Sequence, residues 1–150
     1  MKRGVTMTGD HQSDFSKKQS ESKMIDPAIE IEVNRLKKDG ELPCALAFEI
    51  AEKTSVNPED VGKALDLMNI RITKCQLGLF GYKPNKKIVK PLDSVDQELA
   101  KEIKNVLVNN RVSCENLWAI AFRLDIRKMT ISSACESLGI KIKPCQLGAF

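Results

Sequence analysis

Five cysteines are the residues of this 150-residue chain best equipped for chemistry. Four of them form two pairs of equal spacing, Cys44 with Cys75 and Cys114 with Cys145, and each pair ends on a Cys-Gln-Leu-Gly phrase. Thiolates are soft ligands and nucleophiles, and four together suit zinc or an iron–sulfur cluster. Cys44 also opens an expected helix, where the dipole favours thiolate. Against this, no Cys-x-x-Cys pair occurs, and the thirty-one-residue spacing within each pair matches no metal signature. Buried free cysteine is an ordinary core residue, so structural thiols and a metal or redox site both stay open on the sequence. Cys135, the fifth, aligns with Leu65 in the repeat described below and reads as core.

Other reactive constellations are lacking in the sequence. The single histidine, His11, lies in a polar N-terminal stretch, and no triad or paired-carboxylate arrangement is evident, so the chain is expected not to be an enzyme. No cofactor is expected beyond the zinc or iron–sulfur alternative. Hydrophobic residues make up 42% and charged residues 29%, a globular composition. No apolar run approaches the roughly 18 residues that cross a bilayer, and Met1–Asp26 lacks a signal-peptide core. A cytoplasmic protein with reduced thiols and no membrane partner is expected. The formal charge of +4 permits nucleic acid without demanding it.

The elements that must position the thiols come in two copies. Shifting the chain by seventy positions aligns Glu41–Phe80 with Arg111–Phe150 without a gap, with eleven identical pairs that include all four paired cysteines. Upstream, Ile29, Val33 and Leu36 align with Leu99, Ile103 and Val106, each trio spaced as one helical face. The expected organisation is a disordered tail at 1–27, a first unit at 28–82, a basic linker at 83–97 and a second unit at 98–150. Asp39-Gly40 ends the first helix and Pro43 opens a second running to about Thr54. Its counterpart follows Ser113, a good N-cap. A third helix follows Asn57-Pro58-Glu59-Asp60 and stops near Asn69, its counterpart near Gly139. Ile70–Lys74 and Ile140–Pro144 alternate like short strands. In the closing phrase Gln76 is expected to bond local backbone, Gly78 to permit a turn, and Leu77 and Phe80 to return to the core beneath the helices.

The stretch Ile50–Leu65, with small Ala51, Val56 plugging the turn, and Val61 and Ala64 facing inward, resembles the helix-turn-helix of bacterial DNA-binding regulators. Ile120–Cys135 repeats it with Ala121, Ile126, Ile131 and Ala134. The turn position usually held by glycine carries Ser55 and Asp125. The helix-then-strand ending makes each unit similar to a winged helix, with Cys75–Phe80 as a short wing. This resemblance implies a mainly α fold with short β strands, two tandem three-helix helix-turn-helix (winged-helix-like) units, and double-stranded DNA as partner.

Charge then discriminates between the copies. Residues 28–82 carry 7 basic and 9 acidic side chains, residues 98–150 carry 8 and 5, and residues 83–97 carry 4 and 2. The outer face of the first third helix offers Glu59, Asp60 and Asp66, which repel phosphate, whereas the second offers Arg127, Lys128, Thr130, Ser132 and Ser133. A transcriptional regulator is therefore expected to touch DNA with these five residues and with Lys86 and Lys87 on phosphates. The rivals are a protein-interaction module, with the first unit dimerising or holding a partner, and a cysteine-based metal or redox sensor through Cys44, Cys75, Cys114 and Cys145. Trp118, aligned with Phe48, is expected at a core or inter-unit contact.

Overall fold

The computed structural model describes residues 24–150. His11 and nearly all of the expected tail lie outside them. The first unit runs α1 (Pro27–Leu36), β1 (Glu41–Pro43), α2 (Cys44–Thr54), α3 (Pro58–Leu67) and β2 (Arg71–Thr73). The second repeats the order as α4 (Gln97–Asn105), β3 (Arg111–Val112), α5 (Cys114–Leu124), α6 (Lys128–Leu138) and β4 (Lys141–Ile142). The described chain is thus mainly helical with short strands, as expected. No helix among the described residues is long and apolar enough to cross a membrane.

Local chemistry accounts for the boundaries. Asp26 caps α1 by accepting from the Ala28 N–H at 2.8 Å, so α1 begins at the last residue of the expected tail. Ser113 caps α5 by accepting from the Asn116 N–H at 3.0 Å. Pro43 sits in β1 and takes the cap position of α2 without a side-chain bond, one residue before the helix it was expected to enter. Between α1 and β1, Asp39 (φ 54°) and Gly40 (φ 74°) form a tight turn with Lys38 and Glu41 exchanging backbone bonds. Asn109 and Asn110, with φ of 53° and 60°, repeat that turn before β3. The turns between α2 and α3 and between α5 and α6 both pass through left-handed residues, Ser55 (φ 59°) and Asp125 (φ 55°). Each is followed by a bond from the plug residue, Val56 N–H to Ala51 O at 3.0 Å and Ile126 N–H to Ala121 O at 2.9 Å.

β1 pairs in parallel with β2, and β3 with β4. The registers match, Glu41 beside Arg71 and Arg111 beside Lys141. In place of a wing, each closing phrase folds into a small loop. The Cys75 N–H donates to Phe80 O at 3.1 Å and the Gly78 N–H to Cys75 O at 2.9 Å; Cys145–Phe150 and Gly148–Cys145 repeat both bonds at 3.0 and 3.1 Å. Gly78 and Gly148 hold φ of 76° and 81°, which a side chain would resist. These loops point inward, so the expectation of a wing at Cys75–Phe80 is overturned.

The loops are exchanged between units. Leu77, from the first unit, is fully buried in the core of the second with Ile103, Leu117, Ile120 and Ile131. Leu147, from the second, lies in the core of the first with Val33, Leu42, Ile50 and Leu65. Leu77 does return to a core beneath helices, but to that of the second unit: each copy plugs its neighbour. Burying a leucine side chain stabilises by about 1.5–3 kcal/mol, and here that gain exists only while both units stand together. Gly62 on α3 makes room for the incoming loop, since a Cβ there would stand 1.8 Å from the Leu147 carbonyl oxygen. Phe48 against Trp118, 4.3 Å between ring centroids, and Phe80 against Phe150, edge to face at 5.9 Å, complete the junction. Trp118 is thus the expected inter-unit contact.

Residues 83–97 do not hang free. Val89 is buried, and the N–H groups of Ile88 and Val89 donate to Gly78 O at 2.9 and 3.1 Å. Leu92 exchanges two bonds with the Ser137 hydroxyl of α6, and Lys87 pairs with Glu136 at 2.7 Å. The connection is a strap across the second unit.

Candidate functional site

Two places gather chemistry: the outer surface of the second unit and the buried junction where the repeated loops cross. On the surface, Arg127 precedes α6 with extended backbone and is exposed. Lys128 lies half-buried with its ammonium 4.4 Å from the centre of the Trp118 ring, a cation–π contact that a ligand would have to share. Thr130 and Ser133 are half-buried. Ser132 is not a surface residue: it is fully buried, its hydroxyl without a hydrogen-bond partner, because it holds the helix position equivalent to Gly62, on the inward face. Its assignment to DNA contact is withdrawn. Lys86 is exposed, but Lys87 is engaged with Glu136. The strap and its ion pair leave Ser137 as the one strongly exposed residue of α6, so the helix offers little free surface for reading base edges.

The strand pair supplies cations that the sequence reading passed over. In the first unit Glu41 and Arg71 face each other across β1 and β2 and form a salt bridge at 2.5 Å. The Arg71 hydrogen bond lowers the Glu41 pKa against the opposing effect of burial, with Lys83 adding to the lowering. In the second unit the same positions hold Arg111 and Lys141, like charges in register, both exposed and neither in a salt bridge among the described residues. Lys143 follows, also exposed. The change from Glu41 to Arg111 was visible in the repeat alignment; only strand pairing reveals that it places two cations side by side.

At the junction the loops interleave the thiols. The Cys114 N–H donates to Pro144 O at 3.1 Å, which sets Cys145 beside Cys114. The β1–β2 register carries Cys44 and Cys75 past the same end of their strand pair. Because the loops cross, Cys75 shares a core with Cys114, and Cys145 packs against the core that holds Cys44. Cys44, Cys75 and Cys114 are buried and Cys145 is half-buried. Gln76, expected to bond local backbone, instead donates its amide to Cys44 Sγ at 3.9 Å, and Gln146 to Cys114 Sγ at 3.4 Å. Burial pushes the Cys44 thiol up to about 11, opposed by Gln76 and reinforced by neighbouring Cys75 and Cys145. Burial likewise pushes Cys114 up to about 12, with Gln146 opposing it. Cys135 stands apart in the second core, pushed up to about 12 by burial and then by Glu136. Among the described residues no group of three or more His, Cys, Asp and Glu side chains is arranged to hold a metal ion.

A cleft of about 660 Å³ opens on the first unit beside the exchanged loop, between Arg71, Tyr82, Lys86 and Leu147. Tyr82 closes one wall by donating its hydroxyl to Cys75 O at 2.5 Å. Compared with protein-family models, with curated proteins and with solved structures, the chain finds no match.

Proposed function

We propose that the chain binds double-stranded DNA through its second unit, chiefly by contacts to the phosphate backbone, and serves as a transcriptional regulator. The observation that carries this reading is the pair Arg111 and Lys141. Like charges set opposite each other across a strand pair are destabilising, and a polyanion lying over them relieves that repulsion while releasing its own counterions. Lys143, two residues beyond Lys141, is exposed as well, and Arg127 and Lys86 are further exposed cations. The first unit supports no such role, since its strand pair is neutralised internally and α3 shows Glu59, Asp60 and Asp66 to solvent. Phosphate contacts position a protein without reading sequence. With α6 largely covered, modest discrimination between DNA sequences is expected.

Fluorescence anisotropy with a mixed-sequence duplex across a salt series tests this. Wild-type affinity should fall steeply as salt rises. Replacing Arg111 and Lys141 with glutamine should flatten the logarithmic slope by about 2, since each neutralised phosphate contributes about 0.9. Absence of binding at low salt, or an unchanged slope in the double variant, overturns the reading.

A further inference from the structure

The two closing loops are alike in backbone and unlike in what lies over them. On the second unit the strap covers the loop that the first unit sends across. The Gly78 carbonyl oxygen accepts from the Ile88 and Val89 N–H groups at 2.9 and 3.1 Å, and Gly78 is buried. A Cβ on Gly78 would stand 3.3 Å from the Val89 side chain, so strap and loop are in close contact. Lys87 anchors the same stretch on Glu136 of α6 at 2.7 Å. On the first unit the equivalent positions are bare. Gly148 is exposed, a Cβ there would meet nothing within 4 Å, and its carbonyl oxygen accepts no hydrogen bond among the described residues. Asp66, at the repeat position of Glu136, is exposed and in no salt bridge among the described residues.

Where the second unit carries its strap, the first has the cleft of about 660 Å³, and both Asp66 and Gly148 line it. The equivalent space on the second unit, with Lys87 of the strap on its wall beside Glu136 and Ile140, measures about 370 Å³. Buried Ile70 and Leu147 give the first cleft an apolar lining. Extended peptides bind such sites through main-chain hydrogen bonds, and pockets for individual side chains set the choice. Gly148 O is a free acceptor for main-chain N–H groups, the apolar lining suits a β-branched side chain, and Asp66 suits a cation just before it. The chain's own N-terminal stretch does not supply this pattern: Lys18 and Gln19 hold the repeat positions of Ile88 and Val89 and bring no apolar side chain. The strap itself is held on the second unit by its bonds to Gly78 and Ser137.

We propose that the cleft of the first unit receives an extended segment of a partner protein, a basic residue followed by two β-branched apolar residues, in the pose that Lys87, Ile88 and Val89 take on the second unit. The main chain of that segment donates to Gly148 O, and its cation pairs with Asp66. The protein thus carries one such segment built in and holds a second, equivalent site open. Binding there is independent of DNA, and the test uses none.

The probe is a fluorescein-labelled peptide of residues 86–93, Lys-Lys-Ile-Val-Lys-Pro-Leu-Asp. It is titrated with the full chain by anisotropy, and unlabelled peptide is added to isotope-labelled protein to follow amide shifts. Binding should saturate, with the largest shifts at Asp66, Arg71, Gly148 and Ala149. Asp66→Lys, a change on the exposed side of α3, should weaken binding about fivefold, the upper range for an exposed ion pair. A peptide carrying Val89→Asp should lose binding. No saturable binding at roughly 1 mM peptide overturns the proposal. So does equal binding of the Val89→Asp peptide, and so do shifts confined to Gly78, Met129 and the strap, which would mean that the peptide only replaces the chain's own strap. A dimer in sedimentation that the peptide dissociates would assign the cleft to a second copy, and shifts at Lys18 and Gln19 would assign it to the chain's own N-terminal stretch; either result overturns a partner segment. The wild-type titration decides the matter even if Asp66→Lys fails to fold.

Discussion

The two units share an interior and differ outside. In both, the same register pairs the strands, the same left-handed turn joins the second helix to the third, and the same hydrogen bonds close the loop. Outside, α3 shows three acids to solvent, while α6 lies under a strap with Glu136 engaged by Lys87. Glu41 and Arg71 neutralise each other, while Arg111 and Lys141 stand side by side. The difference teaches that packing has held the inner positions, because each loop must fit the partner's core, whereas the surface was free to take on opposite charge. Only the second copy sets two cations side by side across its strand pair. The first supplies half of the junction.

The sharpest way to break this comparison is to empty one exchanged position at a time. Leu147→Ala and Leu77→Ala should each cost about 2–5 kcal/mol in urea unfolding. Hydrogen exchange should show the crossing: Leu147→Ala loosens α2 and α3 of the first unit first, and Leu77→Ala loosens α5 and α6. Loosening confined to the unit that owns the leucine would refute the exchange. Copying one unit's residue into the other sharpens the contrast. Gly62→Ser places a Cβ 1.8 Å from the Leu147 carbonyl oxygen and should cost about 3 kcal/mol, at the upper end for overpacking. The reverse change, Ser132→Gly, should cost about 1 kcal/mol or less, since the helical preference it forfeits is offset by removing a buried hydroxyl that has no partner.

The smallest effect is one of pH and again separates the copies. Cys135 holds its proton up to about 12 against an ordinary value of 9.0, while the first unit has Leu65 at the same position. A thiol whose folded pKa is raised leaves stability unchanged below about pH 9 and erodes it above, because the unfolded chain ionises first. Unfolding free energy should fall by roughly 1 kcal/mol over the first pH unit above that point on account of this thiol. In Cys135→Leu that component should vanish, as measured by urea midpoints between pH 8 and 10. An identical alkaline decline in wild type and variant would assign it elsewhere.

Much of the fold was legible before the structure. The spacing of Ile29, Val33 and Leu36, the capping of α5 by Ser113, and the left-handed Gly139 that ends α6 are local properties, and local chemistry decides them. The surface assignments fared unevenly. Arg127 is exposed as expected, but Ser132 is buried because a residue's place on a helix circumference depends on what packs there, and the loop around Leu77 that packs on α6 comes from the first unit. Lys87 was counted as free for phosphate because nothing near it in the chain announces Glu136. Arg111 and Lys141 escaped notice because neither stands out alone; thirty positions separate them until the strands pair.

By itself the sequence determined that one helical block was duplicated, where its helices begin and end, and which positions are apolar enough to be covered. It also showed that the thiols come in equivalent pairs. Tertiary structure alone decided which core each leucine enters and which sulfurs become neighbours. Hydrophobicity tells a side chain to leave water and is indifferent to whose interior receives it. The choice between a unit's own core and its partner's was made by shape, with Gly62 clearing the path for Leu147 and the closed loops carrying Cys75 and Cys145 across.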